Sequence, residues 1–149
     1  MNNSKKQRAA GILFIRCLPG IIFLMQGYGK VFTLGLNKIY GLFFSIYENM
    51  LPKWLLMTTA YYTSYIELIG GTLLIFGLFR KQVLYLLAVN LLSVSFGHGL
   101  KEPIWDLQHV FPRAILVAIL LLLPQDWDQW NADSLRYHRY STNNSQAGS

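Results

Sequence analysis

Four stretches of this chain, 9–29, 54–79, 82–100 and 103–123, are almost free of charge. Each is long enough, at about 20 residues, to carry a helix across the hydrocarbon core of a bilayer. The first holds one charge, Arg16, and the second one, Glu67. The third has none apart from a protonatable His98. The fourth carries Asp106, His109 and Arg113 in its first half, and 114–123 is wholly apolar. Charged residues make up 13% of the chain, against about 25% in soluble domains. Such a chain lacks the polar groups to cover a globule in water. The expected fold is all-α: an integral membrane four-helix bundle over 1–124, then a cytoplasmic polar tail over 125–149. The same composition excludes disorder.

Flanking charges set the expected topology. Lys5, Lys6, Arg8, Arg80, Lys81, Arg136 and Arg139 fall on one side, and Lys30, Lys38, Lys53 and Lys101 on the other. The richer side faces the cytoplasm under the positive-inside rule. The protein is therefore expected to be multi-pass in the bacterial inner membrane, with both termini cytoplasmic and an uncleaved N-terminal anchor. Trp54, Trp105, Trp127 and Trp130 lie near span ends, where amphipathic rings settle at the interface. Between the first two spans, Leu36, Ile39, Tyr40, Phe43, Phe44 and Tyr47 recur at helical spacing. They predict an amphipathic helix on the outer surface. Pro112 falls inside the fourth run, so a kink or a broken first half is expected there.

Ionisable groups inside a membrane cost about 2.5 to 3.5 kcal/mol each on insertion scales, and they normally face the bundle interior. Arg16, Gly20, Phe23, Gly27 and Lys30 form one stripe along the first span. Counting rise along each helix predicts two layers. A deep cluster holds Arg16, Glu67 and Arg113. An outer layer holds Gln26, Lys30, His98, Asp106 and His109. Gly20, Gly27, Gly70, Gly71, Gly77 and Gly97 are the expected helix-packing positions, where small residues let backbones approach. Two arginines against one carboxylate leave a positive excess. A quinone carbonyl, a sulfur oxyanion or a lipid phosphate would satisfy it. The plainer alternative is a buried ion pair that fixes helix register.

Other chemistries find little support. Cys17 stands alone, so neither a disulfide framework nor Cys-x-x-Cys exchange exists within this chain. No metal site is expected, because His98, His109 and Asp106 lack ligand spacing. The net charge of +6 suits an anionic leaflet. No basic stripe interleaved with aromatics suggests a nucleic-acid partner.

Three motifs carry a family resemblance. They are Arg16-x-x-Pro19-Gly20-x-x-Phe23-x-x-x-Gly27-x-Gly29-Lys30, then Glu67-x-x-Gly70-Gly71-x-x-Leu74-x-x-Gly77-Leu78-Phe79-Arg80, and Ser95-Phe96-Gly97-His98. In this order the sequence resembles the DoxX family of small four-helix bacterial membrane proteins. The resemblance implies an inner-membrane bundle and a place in membrane redox systems. Family members look like subunits of an archaeal quinone-reducing thiosulfate oxidoreductase. Others look like part of a mycobacterial assembly with a superoxide dismutase and a sulfurtransferase. It assigns no catalytic residue. The stretch 102–113 reads as a subgroup feature.

The expected function is therefore an accessory or quinone-interacting subunit of a membrane redox system. Quinone is the candidate cofactor, and any redox centre would lie on a partner chain. The expected partners are the lipid bilayer, a membrane or peripheral oxidoreductase, and a second copy of the chain. A non-catalytic scaffold and a small anion permease are the alternatives.

Overall fold

The computed structural model describes residues 3–101 and 106–133, with only the backbone at 106 and 107. Expectations that fall on Pro103, on 134–149 and on the Asp106 side chain lie outside the described residues. The described chain is all-helical. Helix α1 spans Asn3–Tyr28 and continues through wider, π-type turns over Gly29–Leu34. A short helix α2, Leu36–Ile39, passes into irregular helical turns that end at Tyr47. The long helices α3, Lys53–Phe76, and α4, Arg80–Lys101, follow. A 3₁₀ turn, Asp106–His109, leads into α5, Phe111–Leu122, and a second, Gln125–Trp127, follows it.

Local chemistry explains the boundaries. Pro52 precedes α3 in an extended conformation that no helix continues through. Gly77 ends α3 at φ +67°, a left-handed position where its N–H bonds back to the last turn. Phe79 also sits at positive φ, +50°, which is unfavourable for a bulky residue. Its N–H is held by Asp133 Oδ2 at 2.8 Å. In the fourth apolar run, the helix restarts at Phe111 with Pro112 in its first turn, where the missing N–H costs nothing. The break expected near Pro112 thus falls just before it. At about 1.5 Å per residue, α5 is about 18 Å long.

The four long elements close a ring: α1 packs on α3, α3 on α4, α4 on α5, and α5 on α1. Phe23, Leu74, Val83, Leu84, Leu87, Leu91, Val110, Val117 and Leu120 fill its interior. Helices α1 and α3 touch through glycines. A Cβ on Gly20 would meet Ile75 at 2.7 Å, and one on Gly71 would meet the Gly20 carbonyl at 2.7 Å. Gly27 lies against the backbone of Leu68. Gly70 accommodates Leu87 of α4 at 3.1 Å. Gly97 is a correction, since nothing lies within 4 Å of its would-be Cβ. It sits beyond the part of α4 that contributes buried residues, and among the described residues no backbone approaches it.

Charge and apolar surface are distributed inside out. Arg16, Glu67, Arg80, Asn90, Arg113 and Asp128 are buried, while Phe14 (67% exposed), Leu92 (70%) and Leu122 (85%) point outward. Helices α1 and α4 are long and apolar enough to cross a membrane. Helix α3 has the length, but its tyrosines, threonines and Glu67 lower its hydropathy. Two details concern the flanks. The outer segment is helical but distorted, and Ile39 alone among 31–52 is buried. The first part of the expected polar tail docks: 125–133 folds back beneath the ring and buries Asp128.

Candidate functional site

The helical register decides which charges can meet. Helices α1 and α3 run antiparallel, with Gly27 opposite Leu68, Gly20 opposite Gly71 and Ile75, and Arg16 opposite Gly77. Glu67 therefore lies level with Gly27, ten to eleven residues along from Arg16. That is about 16 Å of helix, beyond the reach of an arginine side chain. The single deep cluster expected from sequence is thus two clusters, and Arg16 does not pair with Glu67. Periodicity fixes the face of Arg16, but its level is set by the glycine contacts between α1 and α3. Those contacts bring Arg16 beside Gly77, level with the α3–α4 turn.

The first cluster is a polar layer to which all four long elements contribute. Lys30, from the wide turns that extend α1, donates to Glu67 Oε2 at 2.6 Å. Asn90 of α4 donates to Glu67 Oε1 at 3.3 Å. Arg113 of α5 donates through Nη1 to the Gln26 side chain, and through Nε to the His109 carbonyl at 2.6 Å. Its guanidinium stands 5.8 Å from the centre of the Phe23 ring, a cation–π distance. The Glu67 side chain is 2% exposed and that of Lys30 26%, so Lys30 is the outward side of that pair. The layer carries two cations and one carboxylate. Asn90 is fully buried, and its Oδ1 has no partner among the described residues. Four of the residues expected in an outer layer thus have known places. Gln26 and Lys30 join Glu67 and Arg113. His109 joins through its backbone, its side chain being exposed. His98 is half-buried near the end of α4 and makes contacts of its own.

The second cluster lies at the end where the chain begins. Arg16 Nη1 donates to Asp128 Oδ2 at 3.2 Å, and Arg16 Nη2 to the Trp130 carbonyl at 2.8 Å. Arg80 Nη1 lies 3.6 Å from the same Oδ2. Arg80 Nη2 donates to the Leu120 and Leu123 carbonyls at 2.8 and 3.4 Å, capping the end of α5. Gly77 leaves room for the Arg16 guanidinium, which a Cβ would displace. Arg8 stacks 5.0 Å from the centre of the Trp127 ring. Arg80 and Asp128 were missed as site residues. From sequence, Arg80 counts as a topogenic charge and Asp128 as part of a cytoplasmic polar tail. The available signal was charge balance: three arginines in or beside apolar spans needed a second acid, and Asp128 stands between two tryptophans.

Neither cluster groups metal ligands: no set of three His, Cys, Asp or Glu side chains converges among the described residues. The layer holds hydrogen-bond donors of both charge states beside a carboxylate that can carry a proton. Such a set can bind a polar head inside an apolar bundle.

Comparison with known proteins agrees with the residues quoted above. A protein of Bacillus subtilis (strain 168) named "Putative oxidoreductase CatD" is 37% identical over 93 residues, covering 62% of this chain and 63% of its own length. The match thus spans less than two thirds of that relative. No solved structure matches this chain. The DoxX family model matches residues 11–99, a stretch that includes Arg16, Lys30, Glu67, Arg80 and Asn90. This chain belongs to the DoxX family, which is membrane-associated.

Proposed function

We propose that this chain is a multi-pass inner-membrane protein that serves a membrane redox system as a quinone-interacting subunit. The observation that carries the reading is the polar layer of Lys30, Glu67, Asn90 and Arg113. It joins all four long elements inside an apolar ring and keeps a net positive charge. A quinone carbonyl accepts hydrogen bonds from guanidinium or ammonium groups. Glu67 supplies a carboxylate to exchange the proton that quinone reduction requires. In this reading α3 also crosses the bilayer, and α5 makes a fourth crossing only together with the 3₁₀ turn Asp106–His109 that precedes it, leaving both termini cytoplasmic. Lys5, Lys6, Arg8, Arg80 and Lys81 gather at one end of the ring, in keeping with that orientation. The electron donor or acceptor would be a cofactor of a partner oxidoreductase. The relative's name supports a redox setting for the fold.

One observation favours a second reading. Both Glu67 oxygens are already paired, as expected of a scaffold whose charges only fix register. Thermal unfolding of the full chain in phosphatidylcholine nanodiscs, with and without decylubiquinone, separates the two. The quinone reading expects a rise of several degrees that Glu67→Gln abolishes. An unshifted wild type supports the scaffold. Anion flux through liposomes carrying the protein would instead support a permease.

A further inference from the structure

Asp128 meets its two arginines incompletely. Its Oδ2 faces both guanidiniums, while its Oδ1 is buried without a partner among the described residues. Arg16 Nε, Arg80 Nε and Arg80 Nη1 are likewise buried without hydrogen-bond acceptors there. Arg16 is 1% exposed and Arg80 5%, so water does not hydrate them freely. An unmade bond from a buried charged donor is expensive, and these arginines come from different helices, α1 and α4. The Asp128 carboxylate, held through one oxygen, does not meet all of these donors. A tetrahedral oxyanion can, because it offers acceptors in three dimensions and guanidiniums bind it with paired N–H groups.

Beside the cluster lies a pocket of about 300 Å³ whose charged lining is Arg80, Lys81, Asp128 and Asp133; Asp133 is engaged by the Phe79 N–H, and Arg16 stands behind Asp128 rather than in the lining. One wall is the first turn of α4, whose leading N–H groups have no partner within the helix. The other wall is the 125–133 segment, which follows Pro124 and begins with a short 3₁₀ turn. That segment is attached through Asp128, the Trp130 carbonyl, Asp133 and the Arg8–Trp127 contact.

We propose that Arg16 and Arg80 form a binding site for a tetrahedral phosphate-type oxyanion, and that Asp128 on the 125–133 segment is its built-in competitor. Binding displaces the Asp128 carboxylate and loosens the segment from the end of the ring. The site is separate from the polar layer, so it stands whether or not that layer binds quinone.

The test uses the full chain in phosphatidylcholine nanodiscs and inorganic phosphate as the probe, read by calorimetry. Asp128→Asn keeps the shape and removes the competing charge. It is expected to bind phosphate at least about tenfold tighter than wild type, the scale of one charge-assisted contact. Adding Arg80→Gln to that variant abolishes binding. Native mass spectrometry of Asp128→Asn with phosphatidic acid asks whether the oxyanion is a lipid headgroup. Arg80-dependent retention of the lipid assigns the headgroup, and binding of phosphate alone assigns the free ion. Failure of both to bind overturns the proposal. Should Asp128→Asn not fold, the wild-type segment still reports. In a Trp54→Phe, Trp105→Phe background, phosphate or phosphatidic acid raises acrylamide quenching of Trp127 and Trp130, and chloride at equal ionic strength does not. Equal quenching in all three overturns the proposal.

Discussion

The polar layer and the end cluster have the same stoichiometry, two cations to one carboxylate, and differ in where the acid comes from. In the layer, Glu67 stands on α3 between neighbours on other elements, and both of its oxygens are used. At the end, Asp128 comes from a segment with little regular structure, and one oxygen is left over. The first acid is fixed by the packing of long helices. The second is held mainly by its own contacts. Buried charge therefore serves two purposes in one small ring: it fixes the middle and closes the end.

The largest effect should come from Glu67→Gln. It leaves Lys30 and Arg113 beside a neutral group, and breaking a buried pair costs about 3 kcal/mol. Chemical unfolding in mixed micelles measures it, and Lys30→Met in the same chain should recover part of the loss. Next comes Gly71→Ala, which forces α1 away from α3 by crowding the Gly20 carbonyl and the Leu24 backbone. Overpacking of that kind costs about 2 kcal/mol, whereas Gly97→Ala, in open space, should change stability by less than about 0.5 kcal/mol. Asp128→Asn should cost less than Glu67→Gln, about 1 to 2 kcal/mol, because Asp128 Oδ1 makes no bond to lose and its segment can shift where α3 cannot. A larger loss from Asp128→Asn than from Glu67→Gln would break the contrast between the two clusters.

The smallest effect calibrates the scale with a pair in open water. Tyr40 donates to Glu48 Oε1 at 2.6 Å. That hydrogen bond, then desolvation and the Glu48 charge, push the phenol up from 10.0 to about 12. A raised phenol favours the neutral form in the folded state. Its contribution is thus full below pH 10 and fades as pH rises toward 12. Absorbance at 295 nm should show one tyrosine whose midpoint falls back toward 10 in Glu48→Gln.

Much of the ring was legible because burying apolar length leaves a strong sequence signal. Arg16, Glu67 and Arg113 were expected inside, and all three are buried. Their partners were less legible, because pairing depends on how far one helix slides along another. Periodicity fixes a residue's face but not its level, and the glycine contacts that set the level are visible only after packing. Asp128 was harder still, since a short polar segment has no periodic signal that tells docking from freedom. The family motifs end before Asp128 and gave no help there.

The division into two clusters is tested most directly by double-mutant cycles on the folded chain, comparing Arg16 with Asp128, Lys30 with Glu67, and Arg16 with Glu67. The first two pairs should show coupling of about 1 kcal/mol or more, and the third coupling within about 0.3 kcal/mol of zero. Strong coupling between Arg16 and Glu67, with none between Arg16 and Asp128, would contradict the account.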